Sequence, residues 1–427
     1  MIKRTPALLV LGSASVVLLL SFQNCGSFMS NRSSSSDPAA QRQAEATSPY
    51  LADQPLPAIS GVPKITQIRN GAVVATYSSL GEAFARTHAF RRYETGDVYE
   101  LDAAVYSGDA NQAWIGPLPK DDAEYSQGDA KFLIPTSITI RGKTQNGVRP
   151  VVQVDRTGIS YNTLGQGALY VERVKDLTIE NIDFDGGGTA APPSGKAGVY
   201  LNGANGFTFR NSRVRNFNQA NGVFSTENNS GQILFENIET AFNGGDSGPE
   251  HNYYMAKSAT DANFKVTWRS CFSHDVYYGH TLKSRAQNNL VEATHLKGKR
   301  VTTGQGEAYL ADFPNGGNVV FRNNLLEKDF SGDNSNGLFF TYAMEGQLFP
   351  NASSVVVTNN QFLAHSKTYD AFGHLLSPLG FYYPLRAPTD PSFPSAVKVT
   401  VTGNSFEGFE KQTDPAASYR GTAFTEK

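Results

Sequence analysis

Between residues 250 and 346, four short segments are dense in groups that bind, give or take protons. They read Glu250-His251-Asn252-Tyr253-Tyr254-Met255, Gly279-His280-Thr281-Leu282-Lys283-Ser284-Arg285, Gly306-Glu307-Ala308-Tyr309-Leu310-Ala311-Asp312-Phe313 and Phe339-Phe340-Thr341-Tyr342-Ala343-Met344-Glu345-Gly346. Tyr254, Lys283, Asp312 and Glu345 follow one another at intervals of 29, 29 and 33 residues. A base, a cation and a proton donor at one place suit β-elimination or epimerisation of a uronic-acid glycan. The base takes the proton next to the carboxylate, the cation neutralises that carboxylate, and the acid protonates the leaving oxygen. Lys283 is the candidate base, Arg285 the cation, and Tyr254 or His280 the donor. A second chemistry uses Asp312 and Glu345 as the carboxylate pair of a glycoside hydrolase, with Asp246, Glu250 or Glu307 nearby. Lys283 beside Asp312 is then expected to hold that carboxylate ionised.

Non-catalytic readings stand beside these. Lys283 and Asp312 also suit a cross-strand ion pair, and Tyr254, Tyr277 and Tyr278 suit either an aromatic platform for sugar rings or ordinary strand packing. His251, Asn252, His274, Tyr277, Tyr278, Glu307 and Asn315 complete the candidate substrate-contacting set. The spacing of His251, His274 and His280 matches no zinc signature, and Ca2+ is the candidate cofactor. Asp183-Phe184-Asp185-Gly186-Gly187-Gly188 has the composition of a calcium loop but reads first as a turn.

These groups must be held by strands. In each segment the immediate neighbours of the polar residue are inward candidates: Tyr253 and Met255, Leu282 and Ser284, Ala311 and Phe313, Met344 and Gly346. Tyr254, Lys283, Asp312 and Glu345 should therefore point outward together, with Asn252, Thr281 and Arg285 widening the patch into a groove. A phrase of alternating apolar residues, one polar residue, then Asn or Gly recurs along the chain. Its last apolar residues are Ile140, Ile179, Phe209, Phe235, Trp268, Val291, Phe321, Val357 and Val401, spaced by 23 to 44 residues. Period-2 alternation with turn formers at uneven but recurrent spacing predicts an all-β solenoid of parallel strands. The Asn after each strand is expected to stack on its counterpart in the next coil.

Tyr77-Ser78-Ser79-Leu80-Gly81-Glu82-Ala83-Phe84-Ala85 predicts a Ser-capped amphipathic helix with Leu80, Ala83 and Phe84 on one stripe, able to cover an open strand edge. It is followed by Gly96-Asp97-Val98-Tyr99-Glu100-Leu101 and Ile138-Thr139-Ile140-Arg141-Gly142. This order resembles the opening of right-handed parallel β-helix proteins of the pectate-lyase-like superfamily, over about residues 61 to 410. Lys283-Ser284-Arg285-Ala286-Gln287-Asn288-Asn289, then Gly304-Gln305-Gly306-Glu307, then Asn315 to Asn324 are similar to the core of alginate and chondroitin lyases of this fold. That resemblance implies a base at Lys283, whereas the coil that carries an Arg in those lyases carries Asp312 here.

The chain's start predicts export. Lys3 and Arg4 precede an apolar run from Ala7 to Leu20, and Cys25 follows, which resembles a bacterial lipoprotein signal peptide. The resemblance implies cleavage after residue 24 and lipidation of Cys25, hence a membrane partner through the lipid and an outer-membrane address, since Gly26 offers no inner-membrane retention signal. The domain expectation is a signal peptide at 1–24, a Ser/Pro/Gln-rich tether at 25–60 and one β-helix domain at 61–427. With Cys25 lipidated, Cys271 has no disulfide partner and is expected to be a small core or turn residue. A net charge of −2 without a basic stripe argues against nucleic acid, leaving a glycan as the expected partner of a monomeric chain.

Overall fold

The computed structural model describes residues 59–426 except 85–93, 117, 120–131, 134, 154–166, 188–196, 246–249, 278, 299–308, 329–337, 344, 346–348, 350–353, 366–376, 382–396 and 409–424. The expected signal peptide, Cys25 and nearly all of the tether lie outside the described residues, as do Asp246, Tyr278 and Glu307.

The molecule is an all-β solenoid of parallel strands. Each coil contributes a strand to a nine-stranded sheet and two further runs, separated by a bend, to a 21-stranded sheet. The nine marker residues stack in register, Ile140 on Ile179, then Phe209, Phe235, Trp268, Val291, Phe321, Val357 and Val401. All nine are buried. The alternating pattern thus builds one apolar column down the solenoid, with Trp268 stacked on Phe235 at 5.9 Å between ring centroids.

The bend has a backbone cause. Asn181, Asn211, Asn237, Asn323 and Asn359 have φ between 52° and 58°, in the left-handed region that Asn tolerates better than most residues. Ser270 and Ala293 hold the same position with φ of 53° and 50°. Asn237 Nδ2 donates to Asn211 Oδ1 at 2.9 Å, the stacking expected of this row. A second amide row lies one residue later and inside the coil. Asn360 Nδ2 donates to Phe321 O and to Asn404 Oδ1, while its Oδ1 accepts from the backbone N–H and Nδ2 of Asn324. Cys271 occupies the same interior position in its coil, and burial pushes its thiol up to about 12.

The N-terminal end is closed twice. The helix Leu80–Phe84 buries Leu80, Ala83 and Phe84 and packs on Ala113–Ile115, the first strand of the nine-stranded sheet. Ser79 Oγ accepts the Glu82 N–H at 3.1 Å, and the Glu82 carboxylate accepts from Ser78 N and Oγ, each at 2.7 Å. An antiparallel hairpin, Ile65–Arg69 with Ala72–Tyr77, covers the first edge of the larger sheet by pairing with Val98–Leu101. Its two-residue turn is Asn70-Gly71, both at positive φ, the sequence that such a turn favours.

Candidate functional site

The nine-stranded sheet carries one continuous row of side chains directed away from the coil interior. In register these are Trp114, Tyr170, Tyr200, Phe224, Tyr254, Lys283, Asp312 and Thr341. Their strand neighbours, including Tyr253, Met255, Leu282, Ala311 and Phe313, are fully buried in the interior. Tyr254, Lys283 and Asp312 therefore sit on consecutive coils. The residue that follows Asp312 in the row is Thr341, 29 residues on, and not Glu345. Glu345 lies on the turn beyond the strand Leu338–Tyr342, after Ala343 at a φ of 56°. Its backbone N–H donates to Pro314 O at 2.8 Å, which holds the turn against the preceding coil.

That turn folds Glu345 back over the row. Lys283 Nζ lies 3.3 Å from Glu345 Oε1 and 3.4 Å from Asp312 Oδ2, so one ammonium bridges the two carboxylates. Arg285 Nη1 contacts Glu345 Oε2 at 2.7 Å and donates to Asn315 Oδ1, while its Nε donates to the Tyr254 hydroxyl at 3.1 Å. Thr341 Oγ1 donates to Asp312 Oδ1 at 2.7 Å. Outward parity does not make the cluster an open groove. Lys283 and Asp312 side chains are only 6% and 3% exposed, against 15% for Arg285 and 26% for Glu345. A ligand approaching the cluster meets Glu345 and Arg285 first.

The two carboxylates are driven apart in proton affinity. Burial pushes Asp312 above its ordinary range, and Lys283 and the Thr341 hydroxyl offset that only in part. Burial also opposes ionisation of Glu345, but Lys283 and Arg285 outweigh it and hold Glu345 below the ordinary range. Lys283 does favour the ionised form of Asp312, as expected, but burial outweighs it, because Asp312 lies deeper than a strand pattern reveals. Glu345 is the carboxylate held as an anion and Asp312 the one that takes a proton more readily.

His251, His280 and Tyr309 form a second column at the entry to the same three strands. Their rings lie 4.7 Å and 5.1 Å apart and within 10° of parallel, and Tyr254 stacks on His251 at 5.7 Å. Phe224 stacks on Tyr254 at 5.2 Å and 10°. Tyr254 is thus stacked with Phe224 and His251, while Arg285 lies over its ring, 6.0 Å from the centroid, and donates to its hydroxyl.

Other candidates take different places. Asn252 is fully buried, with Nδ2 donating to Thr240 O, Ser273 Oγ and His274 O, and Thr281 Oγ1 donates to Leu310 O. Both serve the backbone of the bends instead of widening an outer patch. His274 belongs to the 21-stranded sheet, with Nδ1 2.6 Å from Asp275 and Nε2 3.5 Å from Glu239, and its ring stacked on Phe272 at 4.0 Å. Tyr277 is half-buried, and its backbone N–H donates to Asn243 O. Asn315 is buried and receives Arg285. Glu250 is half-buried, and burial pushes its carboxyl up.

In the calcium-like segment, Asp183 pairs with Arg149 at 2.9 Å, Asp185 pairs with Arg215 at 3.5 Å, and Asp185 Oδ1 accepts the Gly187 N–H at 2.7 Å. This is a turn closed by its own carboxylate. Among the described residues no group of three or more His, Cys, Asp or Glu is placed to hold a metal ion. Thr341 and Tyr309 were missed from sequence, although both continue a strict 29-residue spacing, Thr341 from Asp312 and Tyr309 from His280.

No protein-family model and no curated protein matches the chain. Among solved structures it is similar to the DFA-IIIase from Arthrobacter chlorophenolicus A6 without its lid, at 12% identity and a TM-score of 0.24, covering 74% of this chain and 89% of that one. It is also similar to the catalytic domain of a GH87 alpha-1,3-glucanase in complex with tetrasaccharides, at 12% identity and a TM-score of 0.27, covering 82% of this chain and 66% of that one.

Proposed function

We propose that this chain is an exported, lipid-anchored, carbohydrate-active β-helix protein that hydrolyses a neutral glycan polymer at Asp312 and Glu345. The observation that carries the reading is the carboxylate pair itself. Both bind Lys283 Nζ, yet one is pushed up and the other down. Two carboxyl groups with separated proton affinities are what acid and base or nucleophile roles require. Glu345, ionised and the more exposed, is the base or nucleophile, and Asp312 is the acid.

A neutral substrate is favoured because the cations are occupied. Lys283 is engaged by two carboxylates, and Arg285 by Tyr254, Glu345 and Asn315. β-Elimination needs a cation for the substrate's own carboxylate and a lysine base free to take a proton. The elimination reading keeps one supporting observation: Lys283, Arg285 and the Tyr254 hydroxyl adjoin on two consecutive coils.

The test is to incubate the purified protein with neutral glucans and with alginate, pectin and glycosaminoglycans, with and without calcium. New reducing ends without ultraviolet-absorbing unsaturated ends are expected from a neutral polymer. Asp312→Asn and Glu345→Gln should each lower the rate by about 10²–10⁴-fold, the usual weight of general acid–base groups. Unsaturated products from a uronic-acid polymer would establish elimination instead, and no cleavage of any polymer would overturn the catalytic reading.

A further inference from the structure

The column of His251 and His280 has a definite protonation pattern. The backbone N–H of His280 donates to His251 Nδ1 at 2.9 Å, and the backbone N–H of Tyr309 donates to His280 Nδ1 at 3.1 Å. A ring nitrogen that accepts from an N–H carries no proton. Each imidazole is thus fixed by the next coil as the neutral tautomer with its proton on Nε2. Both rings are buried and stacked, so neither rotates without breaking the column.

For His280 the consequence falls on Asp312. Its Nε2 makes no hydrogen bond of good geometry and faces Asp312 Oδ2 at 3.4 Å. The same oxygen faces Lys283 Nζ at 3.4 Å, and the other oxygen receives the Thr341 hydroxyl. Two groups from the preceding coil, His280 and Lys283, and one from the following coil, Thr341, therefore surround one carboxylate.

We infer that His280, locked as its neutral Nε2–H tautomer by the Tyr309 backbone, is a positioning residue for Asp312, fixing the carboxylate from the Oδ2 side while Thr341 fixes it from the Oδ1 side. This deepens the hydrolytic reading and rests on it for its relevance to catalysis. The lock itself is a property of the fold. Burial opposes protonation of His280, as do Lys283, His251, Lys328 and Arg285, while Asp312, which faces its Nε2, is an anionic neighbour that favours it; the net direction is toward the neutral ring. The groups facing Asp312 are Lys283, Glu345, Arg285 and His280, with Thr341. The imidazolium form of His280 is thus disfavoured, and the N–H that its neutral tautomer keeps faces Asp312 Oδ2.

The decisive measurements are made by nuclear magnetic resonance on the full-length mature protein, without substrate. Nitrogen shifts of labelled histidine should show His280 as Nε2–H with no titration between pH 5 and 8, and a His280 that titrates there or carries its proton on Nδ1 overturns the inference. His280→Asn keeps an acceptor near the Nδ1 position for the Tyr309 N–H but removes the Nε2–H. With carboxyl-labelled aspartate, and Asp312→Asn to assign the signal, this variant should move the Asp312 titration to higher pH while thermal unfolding stays near wild type. An unchanged Asp312 titration in a folded His280→Asn protein would likewise sink it, whereas absence of turnover by the wild type would count only against the hydrolytic reading.

Discussion

Lys283 is the residue on which the two chemistries make opposite predictions. As a bridge it lowers the proton affinity of both carboxylates, so removing its charge should raise both. In the hydrolytic reading, activity is lost as pH falls through the depressed Glu345 value and as pH rises through the elevated Asp312 value. Lys283→Met should therefore shift both limbs of the pH–rate profile upward while retaining measurable turnover. If Lys283 is itself the base, the same variant is inactive at every pH, and the profile decides. Because breaking a buried ion pair costs about 3–5 kcal/mol, unfolding of the variant is measured beside its activity. Little of this was legible in sequence. The register of Tyr254, Lys283 and Asp312 follows from the 29-residue interval, but the 33 residues to Glu345 were read as one more coil. The four extra residues in fact carry Glu345 beyond the strand end and back over the row, leaving Thr341 in its place. The direction of the Asp312 shift was also hidden, because it depends on how deeply neighbouring chain buries an outward side chain.

At the scale of strands and bends, sequence and structure agree more closely, for a physical reason. The interior column demands an apolar residue at one position per coil, and Ile140, Phe235, Trp268 and Val401 all satisfy it although they share no exact side chain. The bend demands left-handed backbone, so Asn recurs there. Two amide rows were harder to separate, because Asn323-Asn324 and Asn359-Asn360 place a bend residue beside an interior one. Ala293 shows what that bend costs. It holds a φ of 50° without the side-chain amide that makes such a conformation tolerable. Left-handed backbone costs an ordinary L-residue about 1–2 kcal/mol, so Ala293→Asn should stabilise the protein by roughly 1 kcal/mol. Its neighbours in the row, Ser270 and Asn323, are polar bend residues, so an added amide meets no apolar packing there. A rise in the urea midpoint at constant slope is the expected result, and a fall would mean that this bend is selected for something other than backbone ease.

A stack of coils, each bonded to the one before and the one after, has no single nucleus of stability, and resistance to opening depends on distance from an unpaired edge. The central coils are also the most continuous. Asn205–Arg215 and Ser230–Ala241 run through the bend and pair with each other on both sides of it, whereas the N-terminal end relies on a five-residue helix and a hairpin. Native-state hydrogen exchange should accordingly be slowest between about residues 207 and 291. Phe84 is 1% exposed and packs against Tyr99 at 4.6 Å, so Phe84→Asp removes the helix from the first edge of the nine-stranded sheet. Exchange should then quicken in Ala113–Ile115 and Gly167–Glu172, several coils from Leu282–Ser284, and fade with distance. The strands that carry Lys283 and Asp312 would keep their protection, because the coils on both sides still hold them. Equal acceleration along the whole solenoid would instead mean that the stack opens as one cooperative unit, and that the candidate site depends on a cap at the far end.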